Sequence, residues 1–216
     1  MSTPNGNKKA PTSFLEPINL HNGFEYGELR RQRVLCGWNH DVKTIEKWKK
    51  EVDAKTRSLF WITLPATDGQ PSPNRVGHIS LNSELEPLEL ELANPDKSVM
   101  EISAFFVLPE YRYGGIGRAA VEMLESYATK EPYGSPNCKA VTVNTISKRY
   151  TENDGEEWRG VYARRGLEAP PKGKSVEDWY ASMGYVKWKE EPRYPDHLLD
   201  GTEVKIIASF MKKTLQ

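Results

Sequence analysis

The sequence predicts an α+β domain, an antiparallel sheet interleaved with helices, and three observations carry that reading. The run "VMEISAFFV", Val99 to Val107, alternates with the period of two expected of a strand. "SLFWITL" (Ser58 to Leu64) and "RVGHISL" (Arg75 to Leu81) are strand-like and are joined by the turn-rich "PATDGQPSPN", which makes them a hairpin. Apolar residues at helical spacing occur both before this hairpin and after Val107.

In chain order, "SFLEPINL" (Ser13 to Leu20) predicts a first strand. Tyr26, Leu29, Arg30, Arg33 and Val34 form a weak helical stripe from about Glu25 to Cys36. A stronger one runs through Val42, Ile45, Trp48 and Val52, with Asp41 as its cap. In the strand 99–107 strict alternation puts Met100, Ile102, Ala104 and Phe106 on one face. Glu101 and Ser103 then lie on the other, the face that does not pack into the core beneath. Ile116, Ala120, Met123, Leu124 and Tyr127 mark a third helix, and "KAVTVNTI" (Lys139 to Ile146) a further strand. From 147 to 174 the chain is polar and reads as an irregular insertion. "SVEDWYASM" is a short helix opened by the Ser175/Asp178 capping pattern, and strands near Tyr185–Lys189 and Glu203–Met211 close the chain.

The 216 residues suffice for one domain, 14–216, behind a polar tail at 1–13 that reads as disordered. Thirty basic residues balance thirty acidic ones, so no global charge argues for nucleic acid or an anionic membrane. Two cysteines make neither a metal site nor a disulfide framework, and the lone His78 reads as structural. No apolar run approaches the roughly 18 residues of a membrane helix, and the N-terminus lacks the apolar segment of a signal peptide. The expectation is a soluble cytoplasmic protein, with the nucleus left open, that binds no metal.

"VLPEYRYGGIGRAAVEMLE", Val107 to Glu125, is built to seat a phosphate. Glycines let a backbone approach an anion closely, and the N–H groups of a helix N-terminus favour its charge by roughly 0.3–1 kcal/mol. A nucleoside-triphosphate loop needs Lys-Ser/Thr after its last glycine, where Arg118 and Ala119 stand. Gly115, Gly117 and Ala120 match the dinucleotide fingerprint. Five residues nevertheless separate strand from glycines, and the next strand ends in "VNTI" without a ribose-binding acid. A glycine turn that merely opens a helix is the bland alternative.

Arg112-Tyr113-Gly114-Gly115-Ile116-Gly117 fits R/Q-x-x-G-x-G/A after a strand and Val-x-Pro-x-Tyr, and here the sequence resembles the GNAT superfamily of acyl-CoA-dependent N-acyltransferases. The resemblance implies a GNAT fold with a twisted, mostly antiparallel mixed sheet flanked by helices. It implies acetyl-CoA as donor cosubstrate, its diphosphate held between Arg112 and Arg118. The pantetheine arm would run along Phe105, Phe106 and Val107, with the Val107 N–H facing the oxyanion. Glu101, eleven positions before Arg112, takes the place of the general base in the histone-acetyltransferase branch; a strand carboxylate paired with a basic group is the alternative. "DWYASMGYV" resembles the late helix-to-strand segment, making Tyr180 the general acid, or else an aromatic packed beside Trp179. The family's channel Asn falls on Gly173 here, with Asn144 and Asn153 as substitutes of different spacing.

The chemistry implied is direct acetyl transfer to a primary amine, small molecule or peptide, in a ternary complex. About 0.04% of an aliphatic amine is unprotonated at pH 7, so a base is needed. Trp38, Trp48, Tyr194 and the acidic stretch Glu84 to Glu91 are candidates to surround the acceptor. A homodimer is compatible with the family. A non-catalytic acyl-CoA-binding regulatory module and an interaction protein working through 147–174 are the competing readings.

Overall fold

A computed structural model describes residues 14–65 and 74–215. The tail 1–13 and most of the loop expected between the hairpin strands lie outside them. The chain forms two compact units, Met1–Cys138 and Lys139–Gln216.

The first unit holds β1 (Phe14–Pro17), α1 (Gly23–Cys36), α2 (Val42–Asp53), β2 (Arg57–Leu64), β3 (Asn74–Asn82), β4 (Val99–Val107) and α3 (Ile116–Ala128). Its strands pair in the order β1-β2-β3-β4, each antiparallel to the next, and β2–β3 is the expected hairpin. Asn22 caps α1 and Asp41 caps α2, where the Asp41 Oδ1 accepts from Thr44 N at 2.9 Å. Leu29 of α1 with Ile45 and Trp48 of α2 close over Leu59 and Trp61 of β2. Alternation along β2 turns Phe60 to the opposite face. There its ring meets Tyr127 of α3 and Tyr133, with centroids 5.6 and 4.8 Å away.

Strict alternation fails in β4, and this corrects the expected faces. Phe106 pairs with His78 and Ser103 with Ser80, so Ala104 and Phe105 together stand opposite Ile79. Ala104 has φ 45°, a left-handed value that an alanine adopts only under constraint. The bulge inverts the pattern beyond it. Phe106 therefore shares a face with Ser103 and Glu101, not with Met100 and Ile102. That face is covered by α1 and α2, so Glu101 is buried rather than open.

The second unit holds β5 (Ala140–Ile146), α4 (Arg149–Glu152), α5 (Arg159–Arg164), α6 (Val176–Ala181), β6 (Val186–His197) and β7 (Glu203–Thr214). The strands are antiparallel in the order β5-β7-β6; β6 runs well past the expected Lys189 to His197, while β7 starts at the expected Glu203 and ends at Thr214, just beyond Met211. Residues 147–174, expected to be irregular, hold two short helices. Tyr150 and Val161 pack with Leu198 and Ile206, joined by Trp158, Tyr162 and Tyr194. The Tyr150 hydroxyl accepts from Ile207 N at 3.2 Å, and Arg165 pairs with Asp196 at 2.5 Å. Helices of four and six residues are too short for periodicity to register in sequence.

Candidate active site

After β4 the chain makes a single 3-10 turn at Pro109–Tyr111 and enters α3 through Gly115, the N-cap residue, at φ 83°. Arg112 Nε donates to the Val107 carbonyl at 2.9 Å, and its guanidinium lies 5.4 Å from the centre of the Phe106 ring. This folds the loop back on the end of β4. Side chains cap α1, α2 and α6, but none caps α3, and no acidic residue occupies its first turn. Residues 112–115 are exposed. The first-turn amides of α3 therefore have no side-chain acceptor at its N-cap, and amides so placed favour a negative charge. Leu108 N bonds Val76 O at 2.9 Å, so the Val107 N–H one residue earlier points to the edge of β4 away from β3.

Behind this loop, polar side chains form three rows across β2, β3 and β4 on the face beneath α1 and α2. Arg57, Asn82 and Glu101 stand in register, then Leu59, Ser80 and Ser103, then Trp61, His78 and Phe106. Asn82 Nδ2 donates to Glu101 Oε2 and to Ser103 Oγ, both at 2.8 Å. The Ser80 and Ser103 hydroxyls are 2.9 Å apart. Arg57 donates through Nη1 to Ser80 at 2.9 Å and through Nε to Glu51 at 2.7 Å, with its guanidinium 4.9 Å from the Trp48 ring centre. Strand positions covered by helices are normally apolar, and a connected polar network there is costly unless satisfied. Sequence reasoning reached Glu101 and Ser103 but missed Arg57, Ser80 and Asn82. Only the register of three strands brings them together.

The third row holds a neutral imidazole. Gln32 spends its two Nε2 hydrogens on Glu28 and the Arg75 carbonyl, so its Oε1 must accept from His78 Nδ1 at 3.0 Å. His78 Nε2 is then free to accept from Arg33 Nη1 at 3.4 Å. Burial first, and the Arg33 charge second, hold His78 well below the ordinary histidine range. Trp48 is core here, lying 5.3 Å from the Arg33 guanidinium. Arg33 also donates to the Trp38 carbonyl in the turn between α1 and α2.

In the second unit Tyr180 sits on α6 with its ring edge-on to Trp179 and Tyr185, centroids 4.8 and 5.3 Å away. It is 3% exposed, and its hydroxyl has no hydrogen-bond partner among the described residues. Burial, then the neighbouring Tyr194, raises its pKa, which keeps the phenol protonated. The Tyr194 hydroxyl bonds Asn144 Oδ1, so Asn144 lies beside Tyr194 while Asn153 is exposed and Gly173 brings no side chain. α6 is held by Glu177, three residues before Tyr180. Its carboxylate accepts from Ser209 Oγ at 2.6 Å and from Lys148 N at 2.9 Å, and pairs with Lys187 at 3.0 Å.

Among the described residues no group of acidic, histidine or cysteine side chains could hold a metal ion, and no helix is long and apolar enough to cross a membrane. The stretch Glu84 to Glu91 is a surface loop whose Glu86 pairs with Lys47 at 3.3 Å.

The model of one family, described as acetyltransferase (GNAT), matches residues 26–155. No curated protein matches the sequence. An aminoglycoside 6'-N-acetyltransferase complexed with coenzyme A superposes at a TM-score of 0.58 and 13% identity, covering 93% of this chain and 96% of that one. Arabidopsis thaliana NAA60 with a bisubstrate analogue gives 0.57 and 13%, covering 95% and 100%. The NatC complex bound to Gag peptide and CoA gives 0.55 and 13%, covering 94% and 99%. At such identities the likeness is one of fold, and the fold is the one expected.

Proposed function

Because the chain belongs to the acetyltransferase (GNAT) family, whose acyl donor is acetyl-CoA, we propose that it transfers the acetyl group to a primary amine by direct attack. The observation that carries the reading is the uncapped N-terminus of α3, entered through Gly115 and followed by no acid in its first turn. Amides from Gly114 to Arg118, with the Arg112 and Arg118 charges, hold the diphosphate. Tyr113, fully exposed, and Ile116, whose burial anchors the first turn of α3, frame that loop. The donor's arm adds along Phe105, Phe106 and Val107.

The amine nitrogen attacks the thioester carbonyl. The N–C bond forms, the C–S bond breaks, and the Val107 N–H receives the developing oxyanion. Glu101 takes the proton the nitrogen loses, directly or through water. The leaving thiolate takes its proton from Tyr180, whose buried phenol is held in the protonated form. The acceptor class is an amine, small molecule or peptide. The structural neighbours named above include one that acts on aminoglycosides and one bound to a peptide.

Thiol release from acetyl-CoA, followed across a library of amines and amine-bearing peptides, tests the reaction. Amine-dependent release that falls about 100-fold or more in Glu101→Gln supports the assignment. Coenzyme A binding with no release for any amine counts against it, and an unchanged rate in Glu101→Gln removes Glu101 as base.

A further inference from the structure

We propose that Asn82 is the positioning residue of Glu101, fixing its carboxylate and setting its basicity, an inference that rests on Glu101 being the base. Asn82 occupies the middle strand of the row Arg57–Asn82–Glu101. Its orientation follows from chemistry. A carboxylate and a hydroxyl oxygen lie 2.8 Å from the same amide atom, and only Nδ2, with two hydrogens, can satisfy both. Asn82 Oδ1 is left buried with no hydrogen-bond partner among the described residues. A side chain kept only to fill hydrogen-bonding capacity would not strand its own carbonyl, at the cost of an unpaired buried acceptor. The amide is retained for the two N–H groups.

The row also separates charges. Arg57 directs its ion pair to Glu51 at 2.7 Å and its other contacts to Ser80 and Ser103. The amide of Asn82 stands in register between that guanidinium and Glu101. A guanidinium bonded directly to Glu101 would depress its pKa by about 1–3 units and leave a poor base. A neutral amide donor holds the carboxylate in place with a weaker effect on its proton affinity. Among the described residues, the charged and titratable groups on this face include Arg57 from β2, His78 from β3, Glu51 from α2 and Arg33 from α1. His78 stays neutral near pH 7, and the Arg57 and Glu51 charges neutralise each other. Within this row it is the amide, and not the guanidinium, that bonds Glu101.

The experiment is a carbon-detected NMR titration of the Glu101 carboxyl in the full chain, wild type against Asn82→Ala. Loss of the N–H donor removes stabilisation of the charged form, so the midpoint is expected to rise by about one unit. The acidic limb of the kcat/KM profile should move by the same amount, with the KM for acetyl-CoA unchanged. Asn82→Asp, of equal size, removes both donors and adds a like charge, and should raise the midpoint further; it decides the matter if the alanine variant does not fold. A midpoint that stays put in the folded variant overturns the proposal. The titration needs no acceptor amine, so it tests the hold of Asn82 on Glu101 even where Glu101→Gln shows another group to be the base.

Discussion

Arg33 Nη1 lies 3.4 Å from His78 Nε2, and both side chains are buried beneath the turn that joins α1 to α2. A cation in that position can coexist only with a neutral imidazole. The folded protein therefore resists a proton that the unfolded chain accepts below about pH 6.5. With the folded-state pKa depressed, stability is fully present above that pH and falls as pH drops through it, by up to about 1.4 kcal/mol per pH unit. Urea midpoints measured from pH 8 to 5 should fall over the lower half of the range. His78→Gln, which cannot take a proton, should flatten that decline although it is less stable at pH 8.

A second acid-sensitive point lies at lower pH. Burial pushes the Glu190 carboxyl up, but hydrogen bonds from Ser147 and Lys187, the Lys187 charge and the Ser209 hydroxyl more than offset it and hold it at about 2. Arg149 adds an ion pair at 2.7 Å. A depressed folded-state pKa contributes stability that is present above the unfolded value, near 4.5, and lost as pH falls toward 2. In Glu190→Gln the transition should be lower at pH 7 and less steep between pH 4.5 and 2, whereas the pH 5 to 6.5 window governed by His78 should be unchanged.

The elements of the first unit were legible because their signals are local: Asp41 does cap a helix, and β4 spans the expected Val99–Val107. The glycine turn that opens α3 was legible because glycine, arginine and the preceding strand are contiguous in sequence. The faces of β4 were not, since one bulged residue at Ala104 inverts every position after it and nothing in "EISAFFV" announces the bulge. The Arg57–Asn82–Glu101 row was hidden for a related reason. Its members are 25 and 19 positions apart, and only pairing register makes them neighbours.

Gly77, the one glycine among the described strand residues, should be sensitive to substitution. A Cβ built on it would stand 2.3 Å from the Phe106 carbonyl oxygen and 3.1 Å from Val107 Cα. Both are backbone atoms of the bulged strand and cannot swing aside. Gly77→Ala must open the β3–β4 pairing where the bulge draws the strands together, and a cost of about 1–3 kcal/mol or more is expected. Thermal unfolding checks the stability, and loss of hydrogen-exchange protection at Leu108 N, which bonds Val76 O, locates the damage. An alanine variant with wild-type midpoint and protection would mean that the close approach is not maintained in solution.

Tyr180→Phe separates packing from chemistry. The ring is held edge-on by Trp179 and Tyr185, and phenylalanine preserves both contacts. The hydroxyl has no partner among the described residues, so its removal breaks no intramolecular hydrogen bond there and leaves none unsatisfied. Stability should change by less than about 0.5 kcal/mol. If the phenol supplies the proton that the thiolate takes, kcat should fall by about 100-fold with coenzyme A affinity nearly intact. The loss should be smaller for thioesters whose leaving thiol is more acidic, because such a thiolate departs without help. Equal losses for donors of high and low thiol pKa would assign the hydroxyl to donor positioning instead of proton transfer.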